Sequence, residues 1–187
     1  MNPSLWTFQA PRPFNLFFAA LPPEWTCSTM ETLGRTVQKA HGLRGRPVTG
    51  GRLHSTIAAV HDPCYLPHQV LERAKVVGAR VRHPSFSIRF DWMGSFDVHR
   101  NRYPLVLRGG AGLQSLIGFQ QEIGMQMKRA GFDVASSYTP HVTLLWADRP
   151  VADYPIAPIA WTVTDFVLVA SEVGETRHIH VARWPLK

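Results

Sequence analysis

Hydrophobic positions along this chain keep two different rhythms. Asn15 to Ala20 is a short, almost unbroken apolar run suited to a buried strand, and Leu21-Pro-Pro-Glu-Trp25 stops it and opens a helix with proline near its first turn. Met30, Leu33, Val37 and Ala40 then recur at three- and four-residue steps, the stripe of an amphipathic helix. The glycines and proline of His41 to Arg52 predict a loop, Leu53 to Ala59 a strand, and Val70, Leu71, Ala74 and Val77 a second helix. Phe86 to Trp92 and Tyr103 to Arg108 read as strands joined by a polar turn. After Gly109 to Gly112, a third helical stripe runs through Leu113, Leu116, Ile117, Ile123 and Met127, weakened by Gly118 and Gly124. Tyr138 to Trp146, Ala160 to Ala170 and His178 to Trp184 complete the strands.

Strands and helices therefore mix throughout, which predicts an α+β or α/β domain with short crossovers. Each half carries a long helix followed by a strand containing His-x-Thr, at His54 and at His141, a weak internal duplication. No linker or low-complexity tract separates the halves, so residues 1–187 are expected to form a single domain with two lobes.

Composition narrows the partners. The formal charge is +7, and sixteen arginines outnumber four lysines, so the surface favours anions and the planar guanidinium suits phosphate. Nucleic acid or a phosphorylated small molecule is the expected partner. Cys27 and Cys64 lack the spacing of a zinc or redox motif and are expected to be reduced, cytoplasmic thiols. Phe14 to Leu21 is too short, and too polar at Asn15, for a signal peptide or a membrane span.

The chemistry concentrates in "RLHSTI" and "TPHVTLLW". Residues two apart in a strand point the same way, so His54 and Thr56 share one face, as do His141 and Thr143, while Ser55 and Val142 point away. Nine histidines and twelve threonines would produce about 0.6 such matches by chance, and two occur, in corresponding places of the two halves. A histidine in an apolar strand is often a hydrogen-bonded core residue. Two matched copies in a basic protein point instead to a phosphate site: two imidazoles able to exchange base and acid roles, and two hydroxyls for the non-bridging oxygens. That set suffices for in-line attack on a phosphodiester with neither metal nor cofactor.

Together with "LFFAALPPEW", "SFSIRFDWMGSF", "YPLVLR" and "LQSLIGFQQEIG", in that order, the double motif resembles the two-histidine (2H) phosphoesterase superfamily. The resemblance is to its bacterial RNA 2′,3′-cyclic phosphodiesterase branch, also called 2′-5′ RNA ligase-like or LigT-like, and covers nearly the whole chain. It implies an α+β bilobal fold: two pseudo-symmetric lobes, antiparallel sheets flanking a central cleft, helices outside. It further implies hydrolysis of cyclic phosphate RNA ends to 2′-phosphates by His54 and His141, with Thr56 and Thr143 on the phosphate, and reversible 2′-5′ joining in some members. Analogy gives His54 the acid role and His141 the base role, with the near symmetry of the motifs leaving the reverse open. Two positions depart from the pattern: Trp146 replaces an arginine common three residues after the second threonine, and Ser55 replaces an aliphatic residue.

Further candidates surround these. Arg35, Lys39, Arg44, Arg46 and Arg52 run into the first motif with no acidic residue between them, and Arg46 and Arg52 are candidate RNA contacts, against the alternative of a solvated loop. Phe17 and Trp146 are candidate stacking surfaces for bases, against the alternative of core packing. His178 and His180 share a strand face that a metal pair could use, but no cysteine or acidic residue completes the set, so a solvent-facing terminal strand is expected. Two functions from different classes remain: a metal-independent RNA-end phosphodiesterase, acting as a cytoplasmic monomer, and a nucleotide- or RNA-end-binding module of the same fold without significant catalysis.

Overall fold

The computed structural model describes residues 14–64, 68–96, 102–174 and 177–187, without the side chains of residues 61–64. The amino-terminal arm, the turn expected after Trp92 (residues 97–101) and the Cys64 thiol fall outside that description, and Cys27 is a free, half-buried thiol. In chain order the elements are β1 (Phe14–Ala20), α1 (Glu24–Ala40), β2 (Ser55–Cys64), α2 (His68–Arg80), β3 (Phe86–Ser95), β4 (Tyr103–Arg108), α3 (Gln114–Arg129), β5 (Val142–Ala147), β6 (Tyr154–Val163), β7 (Asp165–Glu172) and β8 (His178–Pro185). The fold is α+β, with flanking helices and a sheet whose neighbouring strands all pair antiparallel, in the order β6-β3-β4-β5-β2-β1-β7-β8.

Where two small sheets were expected there is one sheet of eight strands, and its join is narrow. β2 and β5 pair through Ser55 opposite Val142, the central residues of the two His-x-Thr motifs. Both are fully buried, at 0% exposure, on the side of the sheet that the helices cover. Alternation along the strands then turns Thr56 and Thr143 to the other face. β1 shows the same alternation: Leu16, Phe18 and Ala20 enter the main core, while Phe17 and Ala19 join Val167 and Val169 in a small apolar cluster on the opposite face.

Three expectations need correction. The apolar stretch from Ala160 to Ala170 is two strands, β6 and β7, broken at Thr164 and lying far apart in the strand order. Two residues of chain span at most about 7 Å, so the sheet must curl until its ends approach one another. Neither motif histidine lies within a strand: β2 begins at Ser55 and β5 at Val142, immediately after Pro140-His141. Proline at 140 lacks the N–H that a ladder needs, which delays the start of β5. In α1 the buried stripe is Thr26, Met30, Gly34 and Val37, displaced from the expected one because Ala40 is exposed and Leu33 only half-buried.

Gly34 brings α1 close to the strand that carries Thr143. A Cβ at this position would stand 3.5 Å from the Leu144 Cβ, an ordinary contact, whereas a larger side chain would drive the helix off β5. Gly34→Ala is therefore expected to stabilise the protein by up to about 1 kcal/mol through helix propensity. Gly34→Val should destabilise it by about 1–3 kcal/mol through overpacking. Urea denaturation of both variants checks the opposite signs.

Candidate functional site

The loop expected between α1 and the first motif is fastened to β5. Pro47 bridges Leu145, and the Val48 N–H donates to the Leu144 carbonyl at 2.8 Å. The Arg44 N–H donates to Asp148 Oδ1 at 2.8 Å, and the Gly50 N–H to Glu31 Oε1 at 2.8 Å. The basic run thus meets acidic residues that neighbour it in space though none lies within it in sequence. Arg46 is exposed, and it is not among the residues lining the cleft described below. Arg52, at the end of a 3-10 turn (Gly50–Arg52), does line it.

A cavity of about 300 Å³ lies on the open face of the sheet, over the Ser55–Val142 join. His54, Thr56, His141 and Thr143 all line it, as do Phe17, Arg52 and Trp146. Val48, Ser171 and His178 complete its wall. Each motif histidine is held by its own backbone: His54 Nδ1 is 2.7 Å from the Arg52 carbonyl, and His141 Nδ1 is 2.8 Å from the Thr139 carbonyl. A carbonyl only accepts, so each Nδ1 carries the proton and each neutral ring keeps Nε2 as its free nitrogen. Two residues separate donor from acceptor in both motifs, so one local device is used twice.

Packing fixes the rings as well. Phe17 stacks on His54 at 5.0 Å between centroids, and Phe96 meets His141 edge-on at 5.0 Å. Phe17 is only 8% exposed, and one face is taken up by the imidazole. Its place is thus to orient His54 rather than to offer an open platform for a base. Trp146 is 45% exposed and keeps that capacity. The Tyr138 hydroxyl donates to the Thr56 carbonyl at 3.0 Å, tying the segment before β5 across to β2.

The sequence reading missed several neighbours. His178, expected to face solvent, is half-buried at the His54 ring, 5.2 Å away and edge-on. Its partner across the β7–β8 ladder, Ser171, lies beside it in the cavity wall. Phe96 and Arg108 support His141 from the other side, Arg108 lying 5.3 Å over the Phe96 ring and pairing with Asp153. The alternation of His178 and His180 was a visible signal. The curl that carries β8 to the first motif was not. Among the described residues no group of three or more His, Cys, Asp or Glu is placed to hold a metal ion.

Burial lowers the proton affinity of all three imidazoles. His54 is pushed down to about 4 by desolvation, against the pull of its Arg52 carbonyl bond, with His141, Arg52 and His180 adding repulsion. His178 is likewise brought down to about 4 by desolvation and then by His54, Arg52 and His180. His141 is lowered by desolvation and by Arg108, and its carbonyl bond opposes the shift.

No family model and no curated protein matches the chain. Solved structures do. Escherichia coli LigT in its apo form is 25% identical, with 94% of this chain and 98% of that one aligned at a TM-score of 0.72. The chain is structurally homologous to LigT and to related two-histidine phosphoesterases. A second structure, described as a phosphoesterase, is also 25% identical over 94% of this chain and 99% of that one, at a TM-score of 0.70. The protein TT0787 of Thermus thermophilus shares the fold at 21% identity, over 92% and 97% of the two chains, with a TM-score of 0.68. LigT itself has been crystallised with 3′-AMP, ATP, NADP+ and phosphate.

The depressed imidazoles carry a stability consequence. His54 and His178 titrate near 4 when folded and near 6.5 otherwise, so the unfolded chain binds more protons between those values. Their contribution is intact above about pH 6.5 and is lost as the pH falls towards 4. The melting temperature is expected to drop across this window, and His178→Phe, which keeps an aromatic ring but cannot titrate, should make the drop shallower.

Proposed function

We propose that this protein is an RNA 2′,3′-cyclic phosphodiesterase that opens cyclic phosphate ends to 2′-phosphates by two-histidine acid-base catalysis. The observation that carries the reading is the matched pair of imidazoles lining one cavity, each anchored through Nδ1 and each keeping Nε2 free. A binding module needs donors; it does not need two histidines held in the same tautomer. The ligands crystallised with LigT, nucleotides and phosphate, agree with the chemistry of this cavity.

In the proposed step one Nε2 accepts a proton from water as the water oxygen attacks phosphorus. The P–O3′ bond breaks, and the protonated partner gives its proton to the departing 3′ oxygen, leaving a 2′-phosphate. Thr56 and Thr143 donate to the non-bridging oxygens as negative charge builds on them. A 5′-hydroxyl attacking in place of water joins two RNA ends through a 2′-5′ bond by the same bookkeeping of atoms. The step balances without a metal.

Packing favours the reverse of the roles suggested by analogy. Desolvation lowers both imidazoles, and His54 is enclosed between the Phe17 and His178 rings while His141 meets Phe96 edge-on, so we take the proton shared by the pair to rest on His141. We assign His141 as acid and His54 as base. The domain acts as a single unit whose two pseudo-symmetric lobes, β6-β3-β4-β5 and β2-β1-β7-β8, each contribute one motif.

His54→Ala and His141→Ala are each expected to lower turnover of a nucleoside 2′,3′-cyclic phosphate by roughly 10²–10⁴. Thr56→Ala and Thr143→Ala should cost less. Activity should persist in excess chelator and yield only the 2′-phosphate. A histidine variant at the parental rate, or activity restored only by added metal, would reject the mechanism. The roles have their own readout in the pH profile of kcat/KM: residual activity of His54→Ala should lose the acidic limb and that of His141→Ala the alkaline limb, with the opposite pattern returning the assignment to the analogy.

A further inference from the structure

The arginines on the two sides of the cavity are placed differently. On the His141 side, Arg108 pairs with Asp153 and lies over the face of Phe96, and although its Nε is also buried without a partner among the described residues, it is not among the residues lining the cavity. On the His54 side, Arg52 Nε is buried with no hydrogen-bond partner among the described residues. A guanidinium cannot shed its charge, so a buried N–H without an acceptor is a standing cost that an anion would relieve. Ser171 and His178, opposite each other on β7 and β8, place a hydroxyl and an imidazole against the same stretch of wall. Among the described residues no aspartate or glutamate lines the cavity to compete for them.

Ser171 and His178 stand away from the threonines, and Arg52 approaches them from the turn before His54. From β2, which carries Thr56, the sheet runs through β1 to β7 and β8. Two strand spacings, about 10 Å, separate β2 from β7. Phe17 on β1 covers the floor between them. The Ser171–His178 end of the cavity is therefore a place for polar atoms of the substrate other than the reacting phosphate.

We propose that Arg52, Ser171 and His178 bind a second phosphate, the one linking the cyclic-phosphate nucleotide to the residue before it. The RNA strand then leaves the catalytic pair over β1, β7 and β8, and the site selects oligoribonucleotide ends over mononucleotides. The proposal rests on reading the cleft as a cyclic phosphodiesterase. Arg52 and Ser171 supply donors, and the His178 ring, neutral in the free protein, gains proton affinity when the phosphate arrives.

The test compares a dinucleotide ending in a 2′,3′-cyclic phosphate with a nucleoside 2′,3′-cyclic phosphate. The parent should favour the dinucleotide in kcat/KM, and Arg52→Gln and His178→Phe should each reduce that preference about tenfold, the scale of one charge-assisted hydrogen bond. Equal treatment of the two substrates by the parent, or proportional losses on both in the variants, would overturn the second-phosphate site. A binding measurement separates this from catalysis: calorimetry with adenosine 3′,5′-bisphosphate against adenosine 3′-monophosphate should show tighter binding of the bisphosphate, reduced in both variants. Equal affinities in the parent would reject the site even if hydrolysis proceeds. Tighter bisphosphate binding in a protein that hydrolyses neither substrate would retain the site while the hydrolase reading fails.

Discussion

One residue pair, Ser55 opposite Val142, joins the two halves of the sheet, and the geometry of the cavity follows from it. Because successive residues of a strand face opposite ways, burying this pair against the helices obliges Thr56 and Thr143 to face the open side together. A slip of one residue in either strand would send one threonine into the core and one core residue into the cavity. The register is protected by Tyr138, whose hydroxyl reaches the Thr56 carbonyl, and by the loop at Val48, bonded to Leu144. These bonds lie on both sides of a ladder that would be weak by itself.

Within this frame the histidines are placed by short-range means. Each Nδ1 is satisfied by a carbonyl two residues back, so the orientation of the ring is a property of its own turn, while the relation between the rings is a property of the strand pair. Burial then disfavours the charged form of both imidazoles, and among the described residues no carboxylate lines the cavity to offset it. In the proposed reaction an arriving phosphate would supply the missing negative charge and raise their proton affinity, so that the substrate itself prepares the acid.

Much of this was legible in the sequence because its signals are local. The apolar runs of β1 and β8, the helical stripe of α3 and the two His-x-Thr motifs could all be read within short windows. Ser55 is buried, and His54, Thr56, His141 and Thr143 line one cavity. What escaped depends on contacts distant along the chain. Thr164 divides an apolar run that periodicity cannot split, because β6 and β7 are both strands and only the curl of the sheet separates them. Arg44 meets Asp148 across 104 positions, which turned an apparently solvated loop into a fastened one. His178 reaches His54 only because β8 follows β7 around the sheet.

The departure at Trp146 fits the same division between local and distant causes. An arginine there would add a further cation close to two imidazoles that burial already keeps neutral, and would depress their proton affinity further. Tryptophan lines the same wall without charge and leaves a broad face open beside Thr143. The positive charge this wall lacks is present at Arg52, on the other motif's approach, where the backbone carbonyl that anchors His54 and the guanidinium that lines the cavity belong to one residue. A single position thus orients one motif imidazole through its main chain and brings a positive charge to the cavity through its side chain, which ties the charge of the site to the geometry of His54.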